Sequence, residues 1–132
     1  MISGISHITF IVKDPERTSQ FFKHIFDAKE VYTSPTVKYF LVNDLWIALN
    51  IGEPPSQRSY NHIAFKIQES EFDSYLARIK EFGAEIRPDR PRTSGEGRSI
   101  YFYDFDNNLF ELHTGTLSER LANCPKFNQK GE

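Results

Sequence analysis

Apolar and polar positions alternate along some stretches of the chain and recur every three or four residues along others, and the two rhythms sort it into strands and helices. ISHITFIVK, residues 5–13, alternates, with His7, Thr9 and Ile11 on one face and Ile8, Phe10 and Val12 on the other. Asp14-Pro15-Glu16 then predicts a helix start: Asp as N-cap, Pro at the first helical position, Glu in the first turn. That helix runs to about Phe26, with Phe21, Phe22, Ile25 and Phe26 on its apolar side and His24 among its solvated positions. Strands follow at about 28–33, 37–42 and 45–51, the last two joined by a tight turn at Asn43-Asp44. Glu53-Pro54-Pro55-Ser56-Gln57 has the composition of a linker.

After the linker the pattern restarts. YNHIAFKI, residues 60–67, sets His62 on His7, Ile63 on Ile8 and Phe65 on Phe10. A second helix is expected from about Glu69 to Phe82, ended by Gly83, and Ala84-Glu85-Ile86 answers Lys29-Glu30-Val31 at the same offset. The stretch from Gly95 to His113 reads as a hairpin with FDNN at its turn. Ile100, Phe102, Phe110 and Leu112 form its apolar face, and Ser99, Tyr101, Tyr103, Glu111 and His113 its polar one. Each half is thus strand, helix, and three further strands. The expected fold is α+β: paired βαβββ modules over residues 4–52 and 59–122 of one 132-residue domain, with a polar tail at 123–132. Two such sheets are expected to pair into an open barrel whose inner faces make a cleft.

Composition narrows the function. A chain 39% hydrophobic and 14% aromatic folds into a globular core. A net charge of −2 and a pI near 6.1 give no footprint for nucleic acid, so an anionic ligand must be held by a local cluster. The single Cys124 cannot form an internal disulfide and fits a surface thiol in a reducing cytoplasm. The opening MISGISHITFIVKD is interrupted by His7 and framed by no basic leader, so it reads as a strand rather than a targeting segment. No stretch is long enough to cross a bilayer, and the expectation is a soluble cytoplasmic protein with no membrane partner.

Three side chains able to bind metal, His7, His62 and Glu111, are expected to converge in the cleft from three strands. A lone strand histidine is ordinarily a hydrogen-bonded core or edge residue. Two of only four histidines in the chain, at equivalent places in a repeat, argue for a shared task. Two imidazoles and a carboxylate leave coordination positions open, which suits Mn, Fe, Co, Ni or Zn and Lewis-acid chemistry. Aligning LWIAL with LFELH sets Ile47 opposite Glu111, so the first module offers no further ligand. His113, about 7 Å along the same face, is an alternative ligand, with a supporting role favoured. Arg87, Arg90, Arg92 and Arg98 crowd the loop RPDRPRTSGEGR, and Arg120 follows the hairpin. Such a loop is commonly a solvated connection. Here it opens onto Ser99, Tyr101 and Tyr103, and arginine binds phosphate or phosphonate in bidentate fashion, which points to a small, multiply charged anion.

With these motifs in place, the chain resembles the vicinal oxygen chelate superfamily and, within it, the fosfomycin resistance proteins. ISGISHITFIV, SYNHIAFKI and GEGRSIYFYDFDNNLFELHTGTLSERL carry the resemblance over almost the whole length. The last of these is similar to the FosX branch, which opens the drug's epoxide with water, more than to the branches that add glutathione or another low-molecular-weight thiol. The resemblance implies Mn²⁺, or another divalent metal, at His7, His62 and Glu111. It also implies a domain-swapped homodimer in which each site draws ligands from both subunits. Thr9 would lie beside the oxirane, Ser99, Tyr101, Arg92 and Arg120 would hold the phosphonate, and Tyr39 and Trp46 would wall the cleft. Potassium, used by some relatives, is left open. One departure concerns the nucleophile. The hydrolase branch carries a general-base glutamate in a longer segment between the second and third strands, whereas VYTSPTVKYFLVNDLW has no carboxylate between Glu30 and Asp44. The general base is therefore unassigned. A thiol, with a pKa of about 8.5, needs such help less than water at about 15.7, and thiol transfer to fosfomycin is the alternative. A non-catalytic drug-binding protein of the same fold is the alternative of another class.

Overall fold

The structure is a computed structural model and describes residues 1–93 and 95–124; the expected polar tail lies outside the described residues from 125 onward. The first module comprises β1 (His7–Val12), α1 (Pro15–Phe26), β2 (Lys29–Thr33), β3 (Val37–Val42) and β4 (Leu45–Ile51). The second comprises β5 (His62–Lys66), a 3-10 turn (Glu69–Glu71), α2 (Phe72–Phe82), β6 (Ile86–Arg87), β7 (Ser99–Tyr103) and β8 (Leu109–His113), and α3 (Leu117–Asn123) follows. Each module is one four-stranded sheet, ordered β1-β4-β3-β2 and β5-β8-β7-β6. In both, the first strand lies parallel to the last and the other pairs are antiparallel.

Local chemistry accounts for the element ends. Asp14 accepts the Arg17 N–H at 3.0 Å and Pro15 opens α1. Gly83 ends α2 at φ 88°, its N–H reaching the carbonyls of Ile79 and Lys80. Asn43 turns β3 into β4 at φ 52°. The helix α3 was not among the expected elements. Its start is a capping box, with Thr116 Oγ1 accepting the Glu119 N–H at 3.1 Å and Glu119 accepting the Thr116 N–H at 2.9 Å.

The pairing register corrects the repeat alignment. Thr9 lies beside Ala48 just as Ala64 lies beside Glu111, so Ala48, not Ile47, is the counterpart of the carboxylate. A slip of one residue reverses the face, and Ile47 is fully buried. The inference that no fourth ligand comes from this position is unchanged, since alanine offers none.

Both sheets turn their apolar faces onto the helices, and one cluster results. Val12, Phe40, Ile47 and Leu49 from the first sheet meet Ile100, Phe102, Phe110 and Leu112 from the second, with Phe21, Phe22, Ile25 and Phe26 of α1 and Ile79 of α2. Phe110 is the junction: its ring lies 5.2 Å from Phe10, 5.5 Å from Phe21, 5.7 Å from Phe22 and 5.6 Å from Phe26, centroid to centroid. With the apolar faces committed to this core, the polar faces of both sheets turn outward, and a single chain does not close them over a common cleft.

On β3, an interior strand of the first sheet, Lys38 is 5% exposed and holds Glu16 at 3.0 Å and Glu30 at 3.4 Å, tying α1 to β2 and β3. Hydrogen bonds from Thr33 and Lys23 hold the Glu30 carboxyl down to about 2, against an ordinary 4.5. Among the described residues, no helix is long and apolar enough to cross a membrane.

Replacing Phe110 with Ala is expected to cost about 3–5 kcal/mol in urea unfolding, because the cavity opens where both modules meet. Glu30 has a lower pKa folded than unfolded, so its stabilising contribution is complete above pH 4.5 and is lost as pH falls toward about 2. Stability measured across that window should therefore decline less steeply in Glu30→Gln than in the wild type.

Candidate functional site

Over β7 and β8 the polar face of the second sheet is buried, although β5 leaves the same side exposed. Glu111 is 6% exposed, Ser99 7% and Tyr101 6%, although alternation alone would leave such a face in water. The loop before β7 and Tyr60 at the end of the linker cover it. Burying these groups requires hydrogen-bond partners, and they are present.

His62 and Glu111 meet, with Nε2 2.9 Å from Oε1. The other ring nitrogen, Nδ1, lies 2.6 Å from the Tyr60 carbonyl, which can only accept, so Nδ1 carries the proton. In a neutral ring Nε2 then points a lone pair at a carboxylate. Two acceptors at this separation are satisfied by an added proton or by a cation between them, and an imidazole anchored through Nδ1–H to a backbone carbonyl is the arrangement that presents Nε2 to a metal. The donor set therefore fits a divalent cation.

Behind the carboxylate runs a fully used network. The Ser99 hydroxyl donates to Glu111 Oε2 at 2.5 Å, and its oxygen accepts from His113 Nδ1 at 2.7 Å and from the Arg92 guanidinium at 2.9 Å. Arg92 is in turn held by Asp89 through two bonds of 2.9 and 3.1 Å. His113 thus reaches Glu111 through Ser99. The Tyr60 hydroxyl donates to the Tyr101 hydroxyl at 3.1 Å. Burial, with that contact and the nearby Glu111, pushes the Tyr101 phenol well above its usual range and keeps it a proton donor.

A cleft of about 400 Å³ opens beside these groups, lined by Tyr60, Arg87, Pro88, Asp89, Arg90 and Tyr101. Glu96, 6% exposed, gathers two cations at one edge of the loop, accepting from Arg90 at 2.7 Å and from Arg120 of α3 at 2.5 Å. Hydrogen bonds from Arg90 and Thr93 hold its carboxyl well below the usual carboxylate range. Arg98, counted with the loop's cations, instead pairs with Glu69 at 2.6 Å and lies over the Phe72 ring, away from the site.

The remaining candidates gather on the first sheet. His7 and Thr9 are exposed on β1, and Trp46 and Tyr39 stand on the same outward face. His7 stacks on Trp46 at 4.2 Å, and Trp46 meets Tyr39 edge-on at 5.2 Å. One chain thus forms two candidate half-sites: His62, Glu111, Ser99 and Tyr101 on the second sheet, joined by Arg92 from the loop before β7, and His7, Thr9, Tyr39 and Trp46 on the first; Arg120 on α3 meets Glu96 and, among the described residues, none of these. Among the described residues of a single chain, no three His, Cys, Asp or Glu side chains form a metal set.

Sequence reasoning passed over Tyr60, Asp89 and Glu96. Tyr60 lies two residues before His62, so continued alternation would have put it on the same face. Its segment is pinned by Arg58, which forks onto Glu85 at 2.7 and 2.8 Å and covers the Tyr103 ring at 3.7 Å. Asn107 also binds the Pro55 carbonyl at 3.0 Å. No local pattern distinguishes Asp89 or Glu96 from solvated loop carboxylates.

Known proteins are similar to this chain in sequence and fold. Residues 4–112 match the Glyoxalase/Bleomycin resistance protein/Dioxygenase superfamily. The fosfomycin resistance protein FosX of Mesorhizobium japonicum is 55% identical, the alignment covering 96% of each chain. The metallothiol transferase FosB of Shouchella clausii is 43% identical over 96% of this chain and 90% of its own. Among solved structures, a mutant of Listeria monocytogenes FosX complexed with Mn(II) and 1S,2S-dihydroxypropylphosphonic acid superimposes with a TM-score of 0.88 at 58% identity, covering 92% of this chain and 97% of that one. By sequence and by fold, the chain belongs to the Glyoxalase/Bleomycin resistance protein/Dioxygenase superfamily and, within it, to the fosfomycin resistance proteins.

Proposed function

We propose that this chain inactivates fosfomycin by metal-dependent opening of its epoxide with water, in a homodimer where the partner subunit's His7 completes the His62–Glu111 pair. The observation that carries the reading is the His62 Nε2 to Glu111 Oε1 contact of 2.9 Å, in which an imidazole anchored through Nδ1 to a backbone carbonyl faces a buried carboxylate beside a cationic cleft. Pairing of copies is supported by the two half-sites, each built and outward-facing on its own sheet. The ligand in the Listeria FosX structure supports water as nucleophile, because a dihydroxypropylphosphonate is what water addition to an epoxypropylphosphonate yields.

His62 and Glu111, with the partner subunit's His7, would hold a divalent cation, Mn²⁺ in this reading, which when bound would supply Lewis-acid stabilisation of the charge that develops on the epoxide oxygen. His62 and Glu111 are held in place for it by the Tyr60 carbonyl and Ser99. Arg92 and Arg120 provide forked donors for the phosphonate, and the protonated Tyr101 adds a neutral one. Thr9 faces the oxirane, and Tyr39 and Trp46 close the apolar side. In the balanced reaction water's oxygen bonds to one epoxide carbon, the C–O bond at that carbon breaks, and water's proton ends on the released oxygen. We place the protein in the cytoplasm, where a lone thiol such as Cys124 stays reduced.

A second reading replaces water by a low-molecular-weight thiol. The connection between β2 and β3, residues 34–36, leaves no room for the longer segment that carries a base glutamate. The outward positions of β1, β3 and β4, among them His7, Thr9, Tyr39, Leu41 and Ala48, include no carboxylate.

Incubation with fosfomycin and Mn²⁺, with and without glutathione, cysteine or bacillithiol, and analysis by phosphorus NMR and mass, separates the readings. The diol is expected without thiol, and product only in the presence of a thiol establishes the second reading instead. Glu111→Gln is expected to lower turnover at least about 100-fold and to remove the thermal stabilisation by Mn²⁺. Unchanged fosfomycin affinity in that variant, with no product from the wild type, would identify a drug-binding protein.

A further inference from the structure

The two imidazoles assigned to the metal are oriented by different means, and from this we infer that Trp46 is the positioning residue for His7. The inference rests on the reading of His7 as a metal ligand. His62 has its ring plane fixed by the 2.6 Å bond from Nδ1 to a backbone carbonyl. His7 has no such anchor among the described residues. Its only hydrogen-bond neighbour is the Ser6 hydroxyl, 3.0 Å from Nδ1, on an exposed residue whose hydroxyl rotates freely.

What holds the His7 ring is a face. Parallel pairing sets Trp46 directly beside His7, and the indole lies 4.2 Å from the imidazole at an interplanar angle of 29°. The indole is itself wedged by Tyr39, edge-on at 73°, and Tyr39 packs on Tyr32 at 5.2 Å. The stack therefore continues across all four strands of the sheet and confines rotation of the His7 ring. The Trp46 Nε1–H is buried without an acceptor among the described residues, so no hydrogen bond dictates where the indole sits. A planar face, rather than a donor, is what the position supplies. This role differs from walling the cleft, because it acts on the metal in the absence of substrate.

The inference is tested by Mn²⁺ calorimetry and by fluorescence. Trp46 is the chain's only tryptophan, so tryptophan emission reports this ring alone. In the wild type, paramagnetic Mn²⁺ is expected to quench it with the midpoint found by calorimetry, and the quenching should vanish in His7→Ala. Trp46→Phe, which keeps a planar ring, should retain near-native Mn²⁺ affinity, whereas Trp46→Leu, which keeps apolar bulk without the face, should lose about tenfold or more. A role in packing alone would leave Leu and Phe alike. Unquenched emission at Mn²⁺ saturation overturns the proposal, as does Leu binding Mn²⁺ as tightly as Phe while His7→Ala binds weakly. If His7→Ala binds Mn²⁺ at wild-type strength, the metal assignment of His7 fails, and the proposal with it.

Discussion

The arrangement of this molecule depends on the opposite directions taken by two consecutive residues, Phe110 and Glu111. Phe110 enters the shared core and touches rings from the first strand and first helix, and the pleat then turns Glu111 to the far side of β8. Because the ring is wedged on every side, the strand cannot slip by a residue without moving the carboxylate into hydrocarbon. The packing of Phe110 is therefore also what aims Glu111. The same parity in β1 turns Phe10 inward and His7 outward.

Burial of the second polar face has a cost that hydrogen bonding offsets. An ionised carboxylate as enclosed as Glu111 is unfavourable unless its acceptors are used. Ser99 uses one oxygen and His62 approaches the other, while Arg92 supplies positive charge through Ser99. Asp89 and Glu96 moderate a loop otherwise dense in arginine, each fixing guanidinium groups that would repel one another if loose. The cleft is thus cationic in the groups it presents and nearly balanced in the groups that support them.

Much of this was legible along the chain, for physical reasons that differ by element. The hairpin's two faces follow from strict alternation, and the start of α1 from Asp14 and Pro15, whose effects are local. The duplication showed because His62 and Phe65 repeat His7 and Phe10 in register. The counterpart of Glu111 was displaced by one residue because matching letters, LWIAL to LFELH, cannot see which strand a residue pairs with. Only the neighbour across the sheet, Thr9 beside Ala48, fixes it. The helix α3 carried a capping box that went unused because the helix it starts is seven residues long, too short a run for an apolar rhythm. That the sheets share one core, leaving each chain with two half-sites, depends on contacts between distant segments, which no periodicity encodes.

The staple formed by Arg58 bears on how a small molecule gains entry. By forking onto Glu85 and covering Tyr103, it makes the end of the linker an extension of the second module rather than a slack tether between modules. Tyr60, which overhangs the cationic hollow, therefore travels with the floor beneath it. The rim on that side thus belongs to the same module as the floor, and a guest meets both as one surface.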